Sequence, residues 1–110
     1  MKIPNAHDAV VDRARIVDYL INPRFLDNAE RASFFRRMGF HDDNWADLSL
    51  ALRRVIHCSE VAETIETEHG TKFIVTGALS GEDGVVSICT VWIIEGAGNP
   101  PRFVTAYPEI

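Results

Sequence analysis

Two hydroxyl side chains near the C-terminus are the residues best placed for chemistry. Thr105 and Tyr107 alternate along the predicted last strand, so they are expected to share one face of it with Phe103. Hydroxyls so placed can orient or stabilise a phosphate oxyanion. Threonine and tyrosine are also favoured in ordinary strands, where Tyr107 would cover the edge of the core. The sequence leaves both interpretations open.

Four histidines could each supply a general base near neutral pH. They are His7, His41, His57 and His69. None lies in a catalytic motif, and neither His41-Asp42-Asp43 nor His57-Cys58 has the spacing of a metal site. The sequence also has no phosphate-binding glycine loop and no nucleophile elbow. We therefore expect no metal ion and no cofactor.

Arginines on two predicted helices could form a basic stripe. They are Arg31, Arg36, Arg37, Arg53 and Arg54. If the two helices adjoin, the stripe could contact phosphate or an acidic partner. The alternative is a solvated helix face, on which the arginines pair with Glu30, Asp27 and Asp47.

Charge is distributed unevenly along the chain. Residues 1–58 hold nine Lys/Arg and eight Asp/Glu. Residues 59–110 hold only two Lys/Arg but again eight Asp/Glu. Because affinity for nucleic acid comes mainly from Lys and Arg that neutralise phosphates, the acidic balance disfavours RNA as a partner. Any nucleic-acid site must take its basic contacts from the first half.

The 110 residues have the composition of an ordinary globular protein and are expected to form a single domain, 1–110. No apolar run is long enough to cross a membrane, and the N-terminus lacks the apolar segment of a signal peptide. Cys58 and Cys89 are far apart, which favours reduced thiols over a disulfide. Because the chain starts directly at Met1, we expect a free-standing cytoplasmic domain.

The spacing of apolar residues changes from helical to alternating near residue 59. Helices are predicted over Arg13–Ile21 after an Asp12 cap, from Asp27 or Asn28 to Met38, and from a cap in Asp42–Asn44 to His57. Gly39 should end the second helix, and the third should bury a stripe formed by Trp45, Leu48, Leu52 and Val55. Strands are predicted over Ala62–Thr67, Lys72–Leu79, Val85–Ile94 and Arg102–Tyr107. In the second of these, Phe73, Val75 and Leu79 alternate with Lys72, Ile74 and Thr76.

This order predicts an α+β fold, with about three N-terminal helices in residues 1–58 packed on a four-stranded antiparallel meander sheet in residues 59–110. Val85–Ile94 should be central, because both its faces are apolar. The Ala9-Val10-Val11 run is expected to be an edge strand or an extended arm. Open edges at Ala62–Thr67 and Arg102–Tyr107 could support a homodimer by strand addition.

The chain resembles an uncharacterised family of small bacterial domains over nearly its whole length. The motifs that carry the likeness are Ile3-Pro4-Asn5-Ala6, Ala9-Val10-Val11-Asp12, Asp18-Tyr19-Leu20, Ala32 with Phe34-Phe35, Gly39-Phe40, Thr90-x-Trp92 and Pro101-Arg102-Phe103-Val104-Thr105-x-Tyr107-Pro108. More remotely, helices followed by a meander that ends in Thr-Ala-Tyr-Pro resemble the barnase–EndoU–RelE class of ribonuclease toxins. That resemblance implies Arg31, Thr105 and Tyr107 as catalytic residues.

Two functions follow from these patterns. The first is a non-catalytic accessory or protein-interaction module on a nuclease-like frame, which binds a protein partner or itself. The second is a metal-independent ribonuclease, in which Arg31 holds phosphate, Thr105 and Tyr107 stabilise the transition state, and one histidine is the base. Related sequences tend to carry a polar–basic pair such as His-Lys before Ala32, where this chain has Glu30-Arg31. Because Glu30 adds negative charge and arginine stays protonated, the sequence favours the interaction module.

Overall fold

Helical periodicity in the first half of the chain produces three helical segments. The computed structural model describes residues 1–25 and 28–109. Helix α1 spans Arg13–Arg15 and continues as a π-turn over Ile16–Leu20; α2 spans Ala29–Arg37 and α3 spans Trp45–Cys58. Short 3₁₀ turns cover Ala6–Asp8 and Asp42–Asn44.

Alternating apolar residues in the second half produce one antiparallel sheet. Its strands are β1 (Val61–Thr67), β2 (Gly70–Gly81), β3 (Gly84–Ile94) and β4 (Arg102–Pro108), and they lie side by side in chain order. The predicted α+β fold and meander are confirmed. The central position predicted for Val85–Ile94 is also confirmed, because β3 pairs with β2 on one side and with β4 on the other.

The core lies between the helices and one face of the sheet. Helix α3 packs against β2, and of its predicted apolar stripe Leu48, Leu52 and Val55 are buried, whereas Trp45 is half-buried. Trp92 of β3 is fully buried and meets Phe103 of β4 edge to face, with ring centroids 5.4 Å apart. Burial of this sheet face against helices leaves the opposite face of the sheet more exposed to solvent, with half-buried side chains such as Ile74.

Two predicted helix caps use their side chains for other contacts. The Asp12 carboxylate makes no cap hydrogen bond and instead accepts one from Arg102 at 3.2 Å. The Asn28 side chain does not cap α2 either, and its amide donates to backbone carbonyls of the preceding segment. Asp27, the other cap candidate for α2, lies outside the described residues. Helix caps are predicted from neighbouring residues alone. Here the two side chains form hydrogen bonds with groups outside the helix that each was predicted to cap.

Gly39 ends α2 as the sequence predicts, with a positive φ of +98°. The backbone N–H groups of Gly39 and Phe40 donate to carbonyls in the last turn of the helix, which is the usual way that a left-handed glycine closes a helix. A side chain at this position would also meet the side chain of Glu82 in the β2–β3 turn. The positive φ is the reason that this position favours glycine, and the Glu82 side chain would have to move aside for a larger residue.

The outer edge of β4 is partly covered by the N-terminal segment. Val10 forms a parallel bridge beside Arg102: its N–H donates to the carbonyl of Pro101 at 2.9 Å, and its carbonyl accepts from the N–H of Phe103 at 2.9 Å. The extended arm predicted at Ala9-Val10-Val11 is therefore present. The prediction of a fully open β4 edge is wrong at this end, because a segment far away in sequence supplies the missing strand contacts.

Cys58 is exposed, Cys89 is buried, and both are free thiols. In the part of the chain that the structure describes, no helix is both long and apolar enough to cross a membrane.

Candidate functional site

Arg31, Tyr19 and Thr105 form a hydrogen-bonded cluster where α2 meets β4. Arg31 Nη1 donates to the Tyr19 hydroxyl oxygen and, at 3.1 Å, to Thr105 Oγ1. The Tyr19 and Thr105 hydroxyls are themselves hydrogen-bonded at 2.8 Å. Three residues separated by up to 86 positions in sequence thus share one partly buried site.

The guanidinium of Arg31 is fixed in place by neutral groups. A guanidinium carries five N–H donors, and both of the hydroxyl contacts engage Nη1, so Nε and Nη2 keep the planar fork that matches a phosphate or carboxylate. Arg36 and Arg102 differ, because each donates to at least one carboxylate: Arg36 to Asp42, and Arg102 to Asp12 and Glu95. Among the described residues, Arg31 makes no ion pair.

Tyr19 is held by packing on both sides. Its ring meets Phe25 edge to face at 5.0 Å, and the guanidinium carbons of Arg15 and Arg31 lie 5.2 and 5.7 Å from its centroid. The Arg15 distance is within the range of cation–π attraction. Arg31 lies beyond the hydroxyl at the edge of the ring, so the tyrosine positions Arg31 through its hydroxyl.

A local backbone irregularity places Tyr19. It lies in the π-turn Ile16–Leu20, a conformation that is rare and often found at functional sites. Buried Asn28 stabilises the end of this turn, because its amide donates to the carbonyls of Tyr19 at 2.6 Å and of Leu20 at 3.2 Å. Asn28 thus connects the π-turn to the start of the helix that carries Arg31.

A β-bulge decides which face of β4 carries the two hydroxyls. Thr105 pairs with Val91, but Phe103 pairs with the next residue, Trp92, so Val104 is one extra residue in the strand. Directly paired residues point to the same face, so Phe103 turns into the core beside Trp92. The prediction that Phe103 shares a face with Thr105 and Tyr107 is therefore wrong, because the bulge interrupts the alternation.

Tyr107 is 40% exposed and lies beside Arg31. A hydrogen bond with the side chain of Cys89, its partner across the strands, raises the pKa of the Tyr107 phenol, and burial adds to this. The positive charge of Arg31 acts in the opposite direction, and the negative charge of Glu63 acts in the same direction as Cys89. Since the net shift is upward from 10.0, Tyr107 keeps its proton at neutral pH and can donate it.

Arg31 and Tyr107 line one surface groove of about 730 Å³ between α2 and the end of β4. Helix α2 contributes Ala29, Glu30, Arg31, Ser33, Phe34 and Arg37, and β4 contributes Tyr107 and Pro108. The volume is in the range of about 300–1,000 Å³ typical of small-molecule sites. Thr105 reaches the groove through its hydrogen bond with Arg31. The three residues proposed from the resemblance are therefore close together.

The histidines lie elsewhere. None of His7, His41, His57 and His69 lines the groove, and all four are exposed. His69 lines a different cavity of about 550 Å³, between the β1–β2 turn and the β3–β4 loop, which contains Glu68 and Glu95 but no lysine or arginine. In the described parts of the chain, no group of three His, Cys, Asp or Glu is arranged to hold a metal ion.

The predicted arginine stripe is divided among different contacts. Arg31 and Arg37 line the groove, whereas Arg36, also on α2, donates to the carbonyl of Ile21 at 2.8 Å and to Asp42 at 3.0 Å. Arg53 of α3 donates to the carbonyl of Ser49 at 3.4 Å, within its own helix. The stripe is thus reduced to a local pair of arginines at the groove.

Tyr19 was not predicted from the sequence as a site residue. Its signal was present in the Asp18-Tyr19-Leu20 motif that forms part of the family resemblance. A regular helix over Arg13–Ile21 gave no reason to place Tyr19 near the last strand, because the π-turn changes the direction of the side chains that follow it.

The fold is shared with a protein of solved structure. One chain of the contact-dependent growth inhibition toxin–immunity protein complex from Klebsiella pneumoniae 342 superposes with a TM-score of 0.76 at 20% sequence identity. The superposition covers 98% of this chain and 99% of the other. At 20% sequence identity, this similarity shows a shared fold only.

No curated protein matches the sequence. The sequence profile of one domain family matches residues 2–110, which is nearly the whole chain. The protein therefore belongs to the family of domains of unknown function called DUF6883.

Proposed function

We propose that this protein is a metal-independent ribonuclease in which Arg31 binds the phosphate at the cleaved bond. One observation carries the proposal: the Arg31 guanidinium is fixed by two neutral hydroxyls, Tyr19 and Thr105, with its Nε–Nη2 side left for an anion. Within residues 1–25 and 28–109 no carboxylate forms an ion pair with Arg31, and its geometry is preorganised by the two hydroxyls. Both properties favour stabilisation of a phosphoryl transition state.

The reaction that fits this group of residues uses the 2′-hydroxyl of RNA as its nucleophile. The 2′-oxygen bonds to the adjacent phosphorus, the bond from phosphorus to the 5′-oxygen breaks, and a 2′,3′-cyclic phosphate forms. The proton of the 2′-hydroxyl goes to water, and the neutral Tyr107 phenol gives its proton to the departing 5′-oxygen. Arg31 stabilises the negative charge that builds up on the phosphate oxygens during this exchange.

A histidine base, as the sequence analysis assigned, is not part of this proposal, because no histidine lines the groove. Catalysis then depends on transition-state charge stabilisation by Arg31 and on proton donation by Tyr107. Thr105 has a positioning role, because its hydroxyl contacts Arg31 and Tyr19.

The test is incubation of purified protein with labelled total tRNA and a mixed RNA pool in EDTA. Arg31→Ala and Tyr107→Phe are the test variants, and Arg54→Ala on α3, an exposed residue outside the groove, is the matched control. We expect cleavage by the wild type and by the control, loss in both test variants, and 2′,3′-cyclic phosphate ends on the products. Fragments with other ends, or equal cleavage by all variants, would contradict the proposal.

A protein-interaction module remains the second candidate, and the exposed edge of β1 favours it. Most side chains of Val61–Thr67 are exposed, and β1 is the terminal strand of the sheet, so it can accept a strand from a partner or from a second copy. The solved structure with the same fold is itself part of a toxin–immunity protein complex. Absence of RNA cleavage at micromolar protein, together with a dimer or a stable complex by light scattering, would favour this function.

A further inference from the structure

We propose that the open edge of β1 is a docking site for a basic, extended strand of a protein partner. The inference rests on the second candidate function, the interaction module, and goes beyond it by naming the chemistry of the partner. It does not depend on RNA cleavage, because β1 and the groove beside β4 lie at opposite edges of the sheet.

The two edges of the sheet differ in how much of their backbone is already covered. At β4, the backbone of Val10 covers part of the edge. At β1, the N–H of the first residue, Val61, donates to the carbonyl of Met1 at 2.7 Å. Within residues 1–25 and 28–109, no further segment pairs with this side of β1, and residues 62–66 are exposed. The free N–H and C=O groups of such an edge can pair with a strand of another chain.

The conformation of β1 suits an added strand. After an irregularity at Ala62, its pairing with β2 is regular from Glu63 to Thr67, and it contains neither proline nor lysine. Thr64 and Ile65 are β-branched, which favours an extended strand. Ile65 is a large apolar side chain that is 38% exposed, so an apolar residue beside it on a partner strand would remove this surface from water.

The charges on β1 select the kind of strand that can pair there. Glu63 and Glu66 are exposed, and neither forms an ion pair in the part of the chain that the structure describes. Glu66 only accepts hydrogen bonds from the Thr71 hydroxyl at 3.0 Å. Lys72, across from Ile65, is the one basic residue of β1 and β2. Basic side chains on the partner would supply the positive charge that this edge lacks.

The register defines the pattern of the partner strand. In an antiparallel pairing, the partner places a basic residue opposite Glu66, an apolar residue opposite Ile65 and a second basic residue opposite Glu63. The pattern is therefore basic, apolar, any residue, basic. Side chains alternate between the faces of a strand, so the second basic residue shares a face with the apolar residue and the first lies on the other face.

A second copy of this chain is a less favourable occupant of the edge. Pairing β1 with itself would gather Glu63 and Glu66 of both chains at one junction, and each chain carries a net charge of −5. Like charges across a strand pair destabilise it. The two glutamates therefore discriminate against self-association and favour a basic partner.

The experiment measures hydrogen exchange of the β1 amides by NMR in the presence of a disulfide-cyclised β-hairpin peptide. Its free strand reads Thr-Lys-Val-Thr-Lys-Val. Two matched peptides carry glutamate in place of both lysines, or N-methyl groups that block strand pairing. We expect the basic peptide to protect amides in residues 62–67. It should bind about tenfold more tightly than the acidic peptide, since attractive cross-strand charge pairs replace repulsive ones. The N-methylated peptide should give no protection.

Exchange of charge on the protein tests the same contacts from the other side. The double variant Glu63→Lys with Glu66→Lys should prefer the acidic peptide. Asp83→Lys, an exposed residue in the β2–β3 turn, is the control and should keep the preference of the wild type. Both substituted glutamates are exposed, so the amide spectra of the variants should show an intact fold.

Each other outcome identifies what is wrong. Absence of β1 protection by the basic peptide, or equal protection by the basic and acidic peptides, would overturn the proposal. Protection that rises with protein concentration without peptide would identify a second copy as the occupant and overturn the basic partner. A protein complex that forms without β1 protection would overturn this docking site and leave the interaction module standing. None of these results bears on the ribonuclease proposal, which the RNA assay decides separately.

Discussion

Arg31 Nη1 donates to Thr105 Oγ1 over 3.1 Å and so joins helix α2 to the last strand of the sheet. The two residues are 74 positions apart, and Tyr19 contacts both. This hydrogen bond fixes the orientation of the Arg31 guanidinium next to Tyr107.

Tyr19→Phe should lower both RNA cleavage and stability. The variant keeps the ring that packs on Arg15 and Phe25 but loses the hydroxyl shared by Arg31 and Thr105. We expect a loss of about 1 kcal/mol in the free energy of unfolding by urea, the usual contribution of such a hydrogen bond. Cleavage in single-turnover assays should fall more than this loss of stability explains. Unchanged cleavage would mean that the Tyr19 hydroxyl does not position Arg31.

Arg31→Lys tests the planar fork separately from the charge. Lysine keeps the positive charge but cannot contact a phosphate with two parallel N–H groups while also bonding Thr105 and Tyr19. We expect cleavage to fall about tenfold to a hundredfold, between the wild type and Arg31→Ala, with little change in the midpoint of urea unfolding. The matched substitution Arg54→Lys should leave the rate as it is. Full activity in Arg31→Lys would show that charge alone is sufficient.

The ionisation of Tyr107 should be visible in an absorbance titration of the phenolate. The chain has two tyrosines, so the difference between the wild type and Tyr107→Phe reports Tyr107. Because the Cys89 hydrogen bond and burial raise its pKa, the midpoint should lie above 10.0. Cys89→Ala should lower this midpoint. A midpoint at or below 10.0 in the wild type would contradict the environment described for this side chain.

The same pKa shift determines how stability and activity depend on pH. A raised pKa means that the folded protein holds the phenolic proton more tightly than the unfolded chain does. The stabilisation is therefore complete below pH 10 and is lost as the pH rises through the folded pKa. The rate of cleavage should rise with pH, because a larger fraction of the 2′-hydroxyl has lost its proton to the solvent before it attacks, and should fall once Tyr107 ionises. Tyr107→Phe should lose this alkaline decline, along with most of the activity.

Thr90→Val should destabilise the core by about 1–3 kcal/mol, the cost of a buried polar group without a partner. Thr90 Oγ1 donates to the carbonyl of Val75 at 2.7 Å and accepts from Trp92 Nε1 at 2.9 Å. Valine has nearly the same shape but leaves the indole N–H of fully buried Trp92 without an acceptor. Thr76→Val, on the other face of the sheet, is the control and should change the urea midpoint little. Equal effects at both positions would refute the role of the Thr90 hydroxyl.

Much of the fold could be predicted from local patterns. The spacing of Leu48, Leu52 and Val55 predicted the buried face of α3, and the alternation of Phe73, Val75 and Leu79 predicted the inner face of β2. Gly39 predicted the end of α2. These predictions succeed because the direction of each side chain repeats regularly along a helix or a strand. The side that packs on the core must then be apolar, and this leaves a regular spacing of apolar residues in the sequence.

The site depended on contacts that have no local signal. The alternation of β4 predicted that Thr105 and Tyr107 point the same way, but the bulge at Val104 had to be seen before Phe103 could be assigned to the core. Tyr19 reaches Thr105 only because of the π-turn that carries it.

The sequence by itself determined the α+β architecture, the central strand and the buried faces of α3 and β2, because each follows from the pattern of apolar side chains along the chain. Only the tertiary structure decided that Arg31 is bound by hydroxyls whereas Arg36 and Arg102 are bound by carboxylates. All three arginines look alike in sequence. Their difference arises from which distant residues the packing of α2 on β4 brings within hydrogen-bonding distance, and this is a property of the folded chain alone.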